Sequence, residues 1–258
     1  MAATQSASGA AAGTATGAAA DARRRWIRVG TDAHAFDAYL SLPPGGTRPG
    51  TPGIVLIQEI FGVNEHIRAV ADQYALDGYV VMAPDLFWRE APRVELGYAG
   101  ADMERALALR QATDPNLALD DIALTAQALR AQVGPNGKIA AVGYCFGGLL
   151  AYLSAARGLV DAAVPYYGGG IQRALDQASA VRVPIQFHYG ERDAHIPPEA
   201  VEQVRAAMAG NPRAEIHVYP GADHGFNCWA RGSYHQPSAV LAHGRALTFL
   251  AQALAQPA

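Results

Sequence analysis

KIAAVGYCFGGLLAYLSAARG, residues 138–158, decides the fold. The apolar run KIAAVGY reads as a strand buried on both faces, and LLAYLSAARG reads as a helix. Between them GYCFGG, Gly143 to Gly148, leaves room only for a tight turn. A strand that turns at once into a helix is the unit of a largely parallel α/β sheet. Cys145 stands at the turn, with Gly143 and Gly147 two residues to either side. This is the layout of a nucleophile elbow, where small neighbours let the backbone close around a reactive side chain on a strained turn. Cysteine here takes the position that serine usually holds. Taken alone, it could also be packed as a small hydrophobe.

The rest of the chain repeats the alternation. Strands are expected at 26–29, 35–42, 53–58, 79–84, 138–144, 161–167, 183–190 and 214–220, and helices at 66–77, 101–113, 117–132, 147–157, 198–208 and 237–254. The first two strands, separated by Gly30, Thr31 and Asp32, read as an antiparallel hairpin at a sheet edge. Gly78 and Gly210 punctuate the first and fifth helices. With 258 residues, half of them hydrophobic, the chain can bury one large core. One domain is expected over 23–258, behind a disordered low-complexity leader over 1–22.

A net charge of −3 offers no basic face to nucleic acid and no polybasic patch to anionic lipid. Two cysteines, Cys145 and Cys228, make no disulfide framework and point to a reducing compartment. Residues 1–22 lack a basic start and a continuous apolar stretch, so they do not read as a signal peptide. No later run approaches the roughly 18 apolar residues of a membrane span. The expectation is a cytoplasmic monomer acting on a small molecule, with no cofactor, no metal, and no nucleic-acid or membrane partner.

Ligands of open α/β sheets bind beyond the carboxyl ends of the strands. Four reactive or charged residues follow predicted strands: Glu59, Cys145, Asp193 and His224. The order nucleophile, acid, histidine, each after its own strand, is the chain order of α/β hydrolases. The expected fold class is therefore α/β, an α/β-hydrolase fold with a mostly parallel central sheet flanked by helices. A thiol of pKa ~8.5 is mostly protonated at neutral pH, and the thiolate is the nucleophile. His224 would take the proton, and Asp193 would orient the imidazole and stabilise its cation. Glu191 is a competing acid, but Asp193 comes just before the turn into a helix and is preferred. The backbone N–H groups of Phe146 and Ile60 are candidate donors to a developing oxyanion. Glu59, ending the apolar strand IVLI, should be desolvated and suited to proton exchange. A salt bridge to Arg68 or Arg89 is the competing account of Glu59.

QEIFGVN at 58–64, APDLFWR at 83–89, GYCFGG at 143–148, YGERDAHIP at 189–197 and GADHGF at 221–226 together resemble the dienelactone hydrolases, or carboxymethylenebutenolidases. The resemblance runs from about Trp26 to Leu254. It implies a triad of Cys145, Asp193 and His224. It also implies that Glu59 contacts the resting thiol and takes its proton when an anionic substrate arrives. Arg89 resembles the family's first arginine for the substrate carboxylate. The second lies four residues after the catalytic histidine, where this chain has Cys228, and Arg231 could approach the same carboxylate. Tyr144 and Trp88 complete the candidate substrate-binding residues. The implied reaction is hydrolysis of dienelactone to maleylacetate in aromatic-compound breakdown.

A thiol nucleophile narrows the chemistry further. When a tetrahedral intermediate collapses the better leaving group departs, and a thiolate (pKa ~8.5) leaves far more readily than an alkoxide, whose parent acid resembles water at ~15.7. Only a stabilised leaving group, such as the enolate of an enol lactone, reverses that preference. The other readings are a related esterase acting on other activated esters, a redox-sensing thiol on a hydrolase-like scaffold, and a metal site formed by Cys145, His224 and Cys228.

Overall fold

A computed structural model of the chain describes residues 22–255, so the expected leader lies outside the described residues except for Ala22. Eight strands form one sheet: β1 (Arg24–Val29), β2 (Phe36–Ser41), β3 (Gly53–Ile57), β4 (Val80–Pro84), β5 (Ile139–Tyr144), β6 (Ala162–Tyr166), β7 (Ile185–Gly190) and β8 (Ala214–Tyr219). Six α-helices accompany them: α1 (Glu65–Leu76), α2 (Gly100–Ala112), α3 (Pro115–Val133), α4 (Phe146–Ala156), α5 (Pro198–Met208) and α6 (Gln236–Ala253). All the expected strands and helices are present, with ends moved by one or two residues. Short 3-10 turns at Asp32–His34, Ile171–Arg173 and Leu175–Ala180 were not expected.

The strand order is β1-β2-β4-β3-β5-β6-β7-β8. β1 pairs antiparallel with β2, and β2 with β4; every later pairing is parallel. This is the mostly parallel sheet of an α/β-hydrolase fold, with the antiparallel hairpin at its edge as expected. The central strands GIVLI, IAAVGY and AAVPY are buried throughout, as sheets covered on both faces require.

Strand alternation divides the core. Ile54, Leu56, Ala140 and Val142 face a cluster that includes Tyr74 of α1 and Phe249 of α6. Val55, Ile57, Ile139 and Ala141 face another that includes Leu109 of α2 and Ile122 of α3. Each large side chain buried in this way contributes about 1.5–3 kcal/mol.

Local chemistry fixes where the helices begin. Asn64 Oδ1 accepts from the Ile67 amide to cap α1. Asp114 caps α3 through the Asn116 amide at 2.8 Å, with Pro115 in the first turn where its missing N–H costs nothing. No helix among the described residues is long and apolar enough to cross a membrane. Because β3, β5, β7 and β8 run parallel, the residues following them emerge at one edge of the sheet.

Candidate active site

Cys145 joins β5 to α4 with φ 55° and ψ −113°, a left-handed conformation that costs a non-glycine residue about 1–3 kcal/mol. Its amide donates to the Tyr166 carbonyl at 3.0 Å, and its own carbonyl accepts from the Gly148 amide at 2.9 Å. The flanking glycines are required by contact. A Cβ on Gly143 would overlap the Gly147 carbonyl, and one on Gly147 would overlap the Ile57 carbonyl and stand 2.6 Å from that of Gln58. The first turn of α4 therefore lies directly against the end of β3. That brings the Phe146 amide, at the head of α4, to the segment that carries Glu59 and Ile60. Cys145 itself is half-buried.

Asp193 and His224 meet as the sequence implies. Asp193 Oδ2 lies 2.7 Å from His224 Nδ1, with the carboxylate fully buried. The other oxygen, Oδ1, accepts from the His195 amide at 2.8 Å, which leaves the acid held from two sides. Glu191, the competing acid, instead accepts from the Gly221 amide at 2.8 Å and ties the loop after β7 to the loop after β8. Burial alone would lower the pKa of His224, but hydrogen bonds and charges from Asp193 and Cys145 outweigh it and raise it to about 10. The imidazole thus carries a proton at neutral pH. Sequence reading missed two residues that pack around this ring, Tyr167 at 5.1 Å and His195 at 4.9 Å between ring centres. The available signals were the place of Tyr167 directly after β6 and that of His195 two residues after Asp193.

Glu59 is 1% exposed and pairs with Arg231, Nη1 to Oε1 at 3.1 Å. Neither Arg68 nor Arg89 is its partner; Arg68 pairs with Glu95 at 2.7 Å. Its second oxygen, Oε2, is buried without a hydrogen-bond partner among the described residues. Burial pushes the Glu59 pKa up, against the opposing charges of Arg231 and His224. The Glu59 charge raises the Arg231 pKa in turn, against the effect of burial. Cys228, where the family resemblance calls for an arginine, is fully buried. Burial and the Glu59 charge push that thiol up to about 11, and it interacts with Tyr98.

Three expected substrate-binding residues lie elsewhere. Arg89 spends both terminal nitrogens on Asp121 of α3, at 2.5 and 2.9 Å, and stacks over Trp88. Trp88 donates to the same carboxylate at 3.0 Å and packs on Phe36 of β2. Neither residue contacts Cys145, Glu59 or His224. A carboxylate buried on α3 claims both donors, and nothing in APDLFWR itself reveals it. Tyr144 is 1% exposed and belongs to the core, its ring 4.7 Å from that of Tyr166. It is the last strand residue before the elbow, and it falls on the α1 and α6 face of the sheet. A cation that does lie over the residue following the nucleophile is Arg110, in the last turn of α2. Its guanidinium sits 4.1 Å above the Phe146 ring, and Cys145 is among the charges acting on it. No motif marks it; ALALRQAT reads only as a helix.

Comparison with known proteins gives this geometry a family. The model of the dienelactone hydrolase family matches residues 36–254. Carboxymethylenebutenolidase of Pseudomonas putida is 37% identical over 221 residues, covering 85% of this chain and 92% of its own. Carboxymethylenebutenolidase 1 of Cupriavidus pinatubonensis is 34% identical over 217 residues, covering 84% and 91%. The crystal structure of a candidate dienelactone hydrolase from Klebsiella pneumoniae superposes with a TM-score of 0.80 at 31% identity, over 89% of this chain and 98% of that one. A match over most of the chain, in sequence and in fold, shows that the protein belongs to the dienelactone hydrolase family.

Proposed function

We propose that the protein hydrolyses an enol lactone of the dienelactone type through an acyl-thioenzyme on Cys145. The observation that carries the reading is the buried Asp193–His224 pair at 2.7 Å beside a cysteine held in the strained conformation of an elbow. The names of the relatives support the same class of substrate.

In this reading His224 holds the proton of Cys145, and the thiolate attacks the acyl carbon. The carbonyl oxygen, gaining charge, is received by the Phe146 and Ile60 amides. The C–O bond breaks, the enolate departs with the proton of His224 and becomes the ketone, and the acyl group remains on sulfur. Water then attacks the thioester, giving up its proton to His224, and the carboxylic acid leaves as the thiol is restored. Glu59 regulates thiolate formation: its raised pKa and its open Oε2 suit it to take the thiol proton when substrate arrives and pass it on to His224, while Arg231 holds its other oxygen. A role in aromatic-compound breakdown follows from the substrate class.

A broader esterase reading has one observation in its favour. Arg89 is engaged by Asp121 and Cys228 replaces the expected second arginine, so the carboxylate subsite differs from the one the resemblance implies. Kinetics separates the readings. Dienelactone isomers and aryl acetates should be hydrolysed at least 100-fold faster, in kcat/KM, than matched alkyl esters, with a burst of about one equivalent that Cys145→Ala abolishes. Comparable rates on alkyl esters would sink the thiol argument. Aryl esters turned over without dienelactone would leave the broader esterase.

A further inference from the structure

The two edges of the sheet differ. β1, RRWIRV, carries Arg24, Arg25 and Arg28, and such charges discourage pairing with another strand. β8, AEIHVY, closes the opposite edge with neither a lysine, an arginine nor a proline. Among the described residues no strand pairs with its outer side. The amides of Ile185 and Glu191 donate to the carbonyls of Arg213 and Tyr219, at 3.1 and 3.0 Å, so the odd-numbered residues turn their backbone groups toward β7. Ala214, Ile216 and Val218 therefore turn theirs outward. Of these outward groups the Ala214 amide alone is occupied among the described residues, by the Asn211 carbonyl at 3.1 Å. Val218 is 41% exposed, and on the other face Val240 and Leu241 of α6 are exposed at a groove walled by Glu215 and His217. An apolar, unguarded strand edge is a template for a further strand.

Charge selects both the occupant and the register. When two β8 strands pair antiparallel, their outward groups meet only if even-numbered residues face each other. Setting Ala214 opposite Ile216 brings two Glu215 carboxylates face to face, which is repulsive. Setting Ile216 opposite Val218 brings two His217 rings face to face, and registers centred on Ala214 or Val218 overlap only the strand ends. With Ile216 opposite Ile216, every outward group is paired except the Val218 carbonyl, whose partner amide Asn211 already holds. Each Glu215 then faces His217 of the other copy, an acidic acceptor against a basic donor. Glu215 has room for that bond: the Gln186 side-chain amide at 2.6 Å and the His217 ring at 3.3 Å both lie on Oε2, leaving Oε1 without a hydrogen bond among the described residues. Val218 falls opposite the small Ala214.

We propose that β8 pairs antiparallel with β8 of a second copy of this chain, about a twofold axis at Ile216, joining the two sheets into one. This dimer replaces the monomer expected from the sequence, and its test requires no turnover.

Two measurements on the full chain decide. Light scattering during gel filtration, at about 100 μM and so far above the Kd of an interface of standard size, should give twice the mass of one chain. Val218→Pro deletes an amide that faces away from β7, a place where an edge strand tolerates proline. It should keep the native circular dichroism and fall to the mass of one chain. A native chain of single mass, or a folded Val218→Pro of double mass, overturns the proposal. The second measurement is cross-linking in a Cys145→Ser background, which removes the half-buried thiol. Across the proposed axis the two Ile216 Cα atoms lie about 5.5 Å apart, within disulfide reach, and the two Val218 Cα atoms more than about 13 Å apart. Under mild oxidation Ile216→Cys should form at least about tenfold more disulfide-linked dimer than Val218→Cys, read on a non-reducing gel. Equal cross-linking at the two positions, or none at Ile216→Cys, overturns the proposal, and this result decides even if Val218→Pro fails to fold.

Discussion

At the scale of single residues, charge placement near the thiol governs what the site can do. Arg231 pairs with Glu59, and its charge is engaged by a carboxylate that burial makes reluctant to ionise. Glu59→Gln would remove the negative charge and leave Arg231 free to favour the thiolate. Alkylation of Cys145 by iodoacetamide at about pH 6 should then rise about tenfold, the effect of an opposite charge within a few ångströms. Turnover should fall in the same variant, because the proton acceptor is gone. An alkylation rate and a pH–rate profile both unchanged from the native chain would remove Glu59 from any role in thiol ionisation. The placement of Cys145, Asp193, His224 and Glu59 at one edge of the sheet was legible in the sequence because each follows its own strand. Arg89 follows a strand as well, and it was misread because its partner Asp121 lies 32 residues further on. Arg110 gave no signal, since a cation in the last turn of a helix reads as part of a solvated end.

At the scale of elements, the elbow depends on α4 touching β3 backbone to backbone. Gly147→Ala would drive a methyl into the carbonyls of Ile57 and Gln58, and Ile57 cannot move without disturbing its pairing in the β3–β5 ladder. Overpacking of this kind costs about 1–3 kcal/mol, and here it also displaces the two candidate oxyanion amides. Gly147→Ala should therefore lose about 100-fold or more in kcat while remaining folded by circular dichroism. Gly210→Ala, where an added Cβ meets nothing within 4 Å, should leave kcat within about twofold. Equal activities would mean that the close approach has no catalytic consequence. The same contact explains why the elements were readable. Strands buried on both faces and helices closed by glycine leave periodic marks in the chain, whereas the 3-10 turns at 171–180 depend on packing between distant segments. Tyr144 was misread for a related reason: its place beside Cys145 in sequence suggested the pocket, while its side chain is buried in the core layer under α1 and α6.

At the scale of the whole molecule, the loop between β8 and α6 ties the site to α1 through His66. This histidine is 4% exposed, and its ring lies 4.2 Å from that of Trp229, edge to face. Burial, and then the charge of Arg231, lower its pKa to about 4. The folded chain therefore holds His66 neutral, whereas the unfolded chain protonates it near pH 6.5. Its contribution to stability is complete above that unfolded value and is lost as pH falls toward 4. Linkage puts the loss at about 2 kcal/mol between about pH 7.5 and pH 5. Glu59 and Asp85 act in the opposite sense, since burial raises both carboxyls, Asp85 to about 6, and protonation then favours the folded form. The His66 share is isolated by difference. Urea unfolding of the native chain and of His66→Phe at the two pH values should show the native chain losing about 2 kcal/mol more than the variant. The phenyl ring keeps the edge-to-face packing on Trp229, so a variant with the same acid slope as the native chain would assign that slope to the carboxyls and the other histidines.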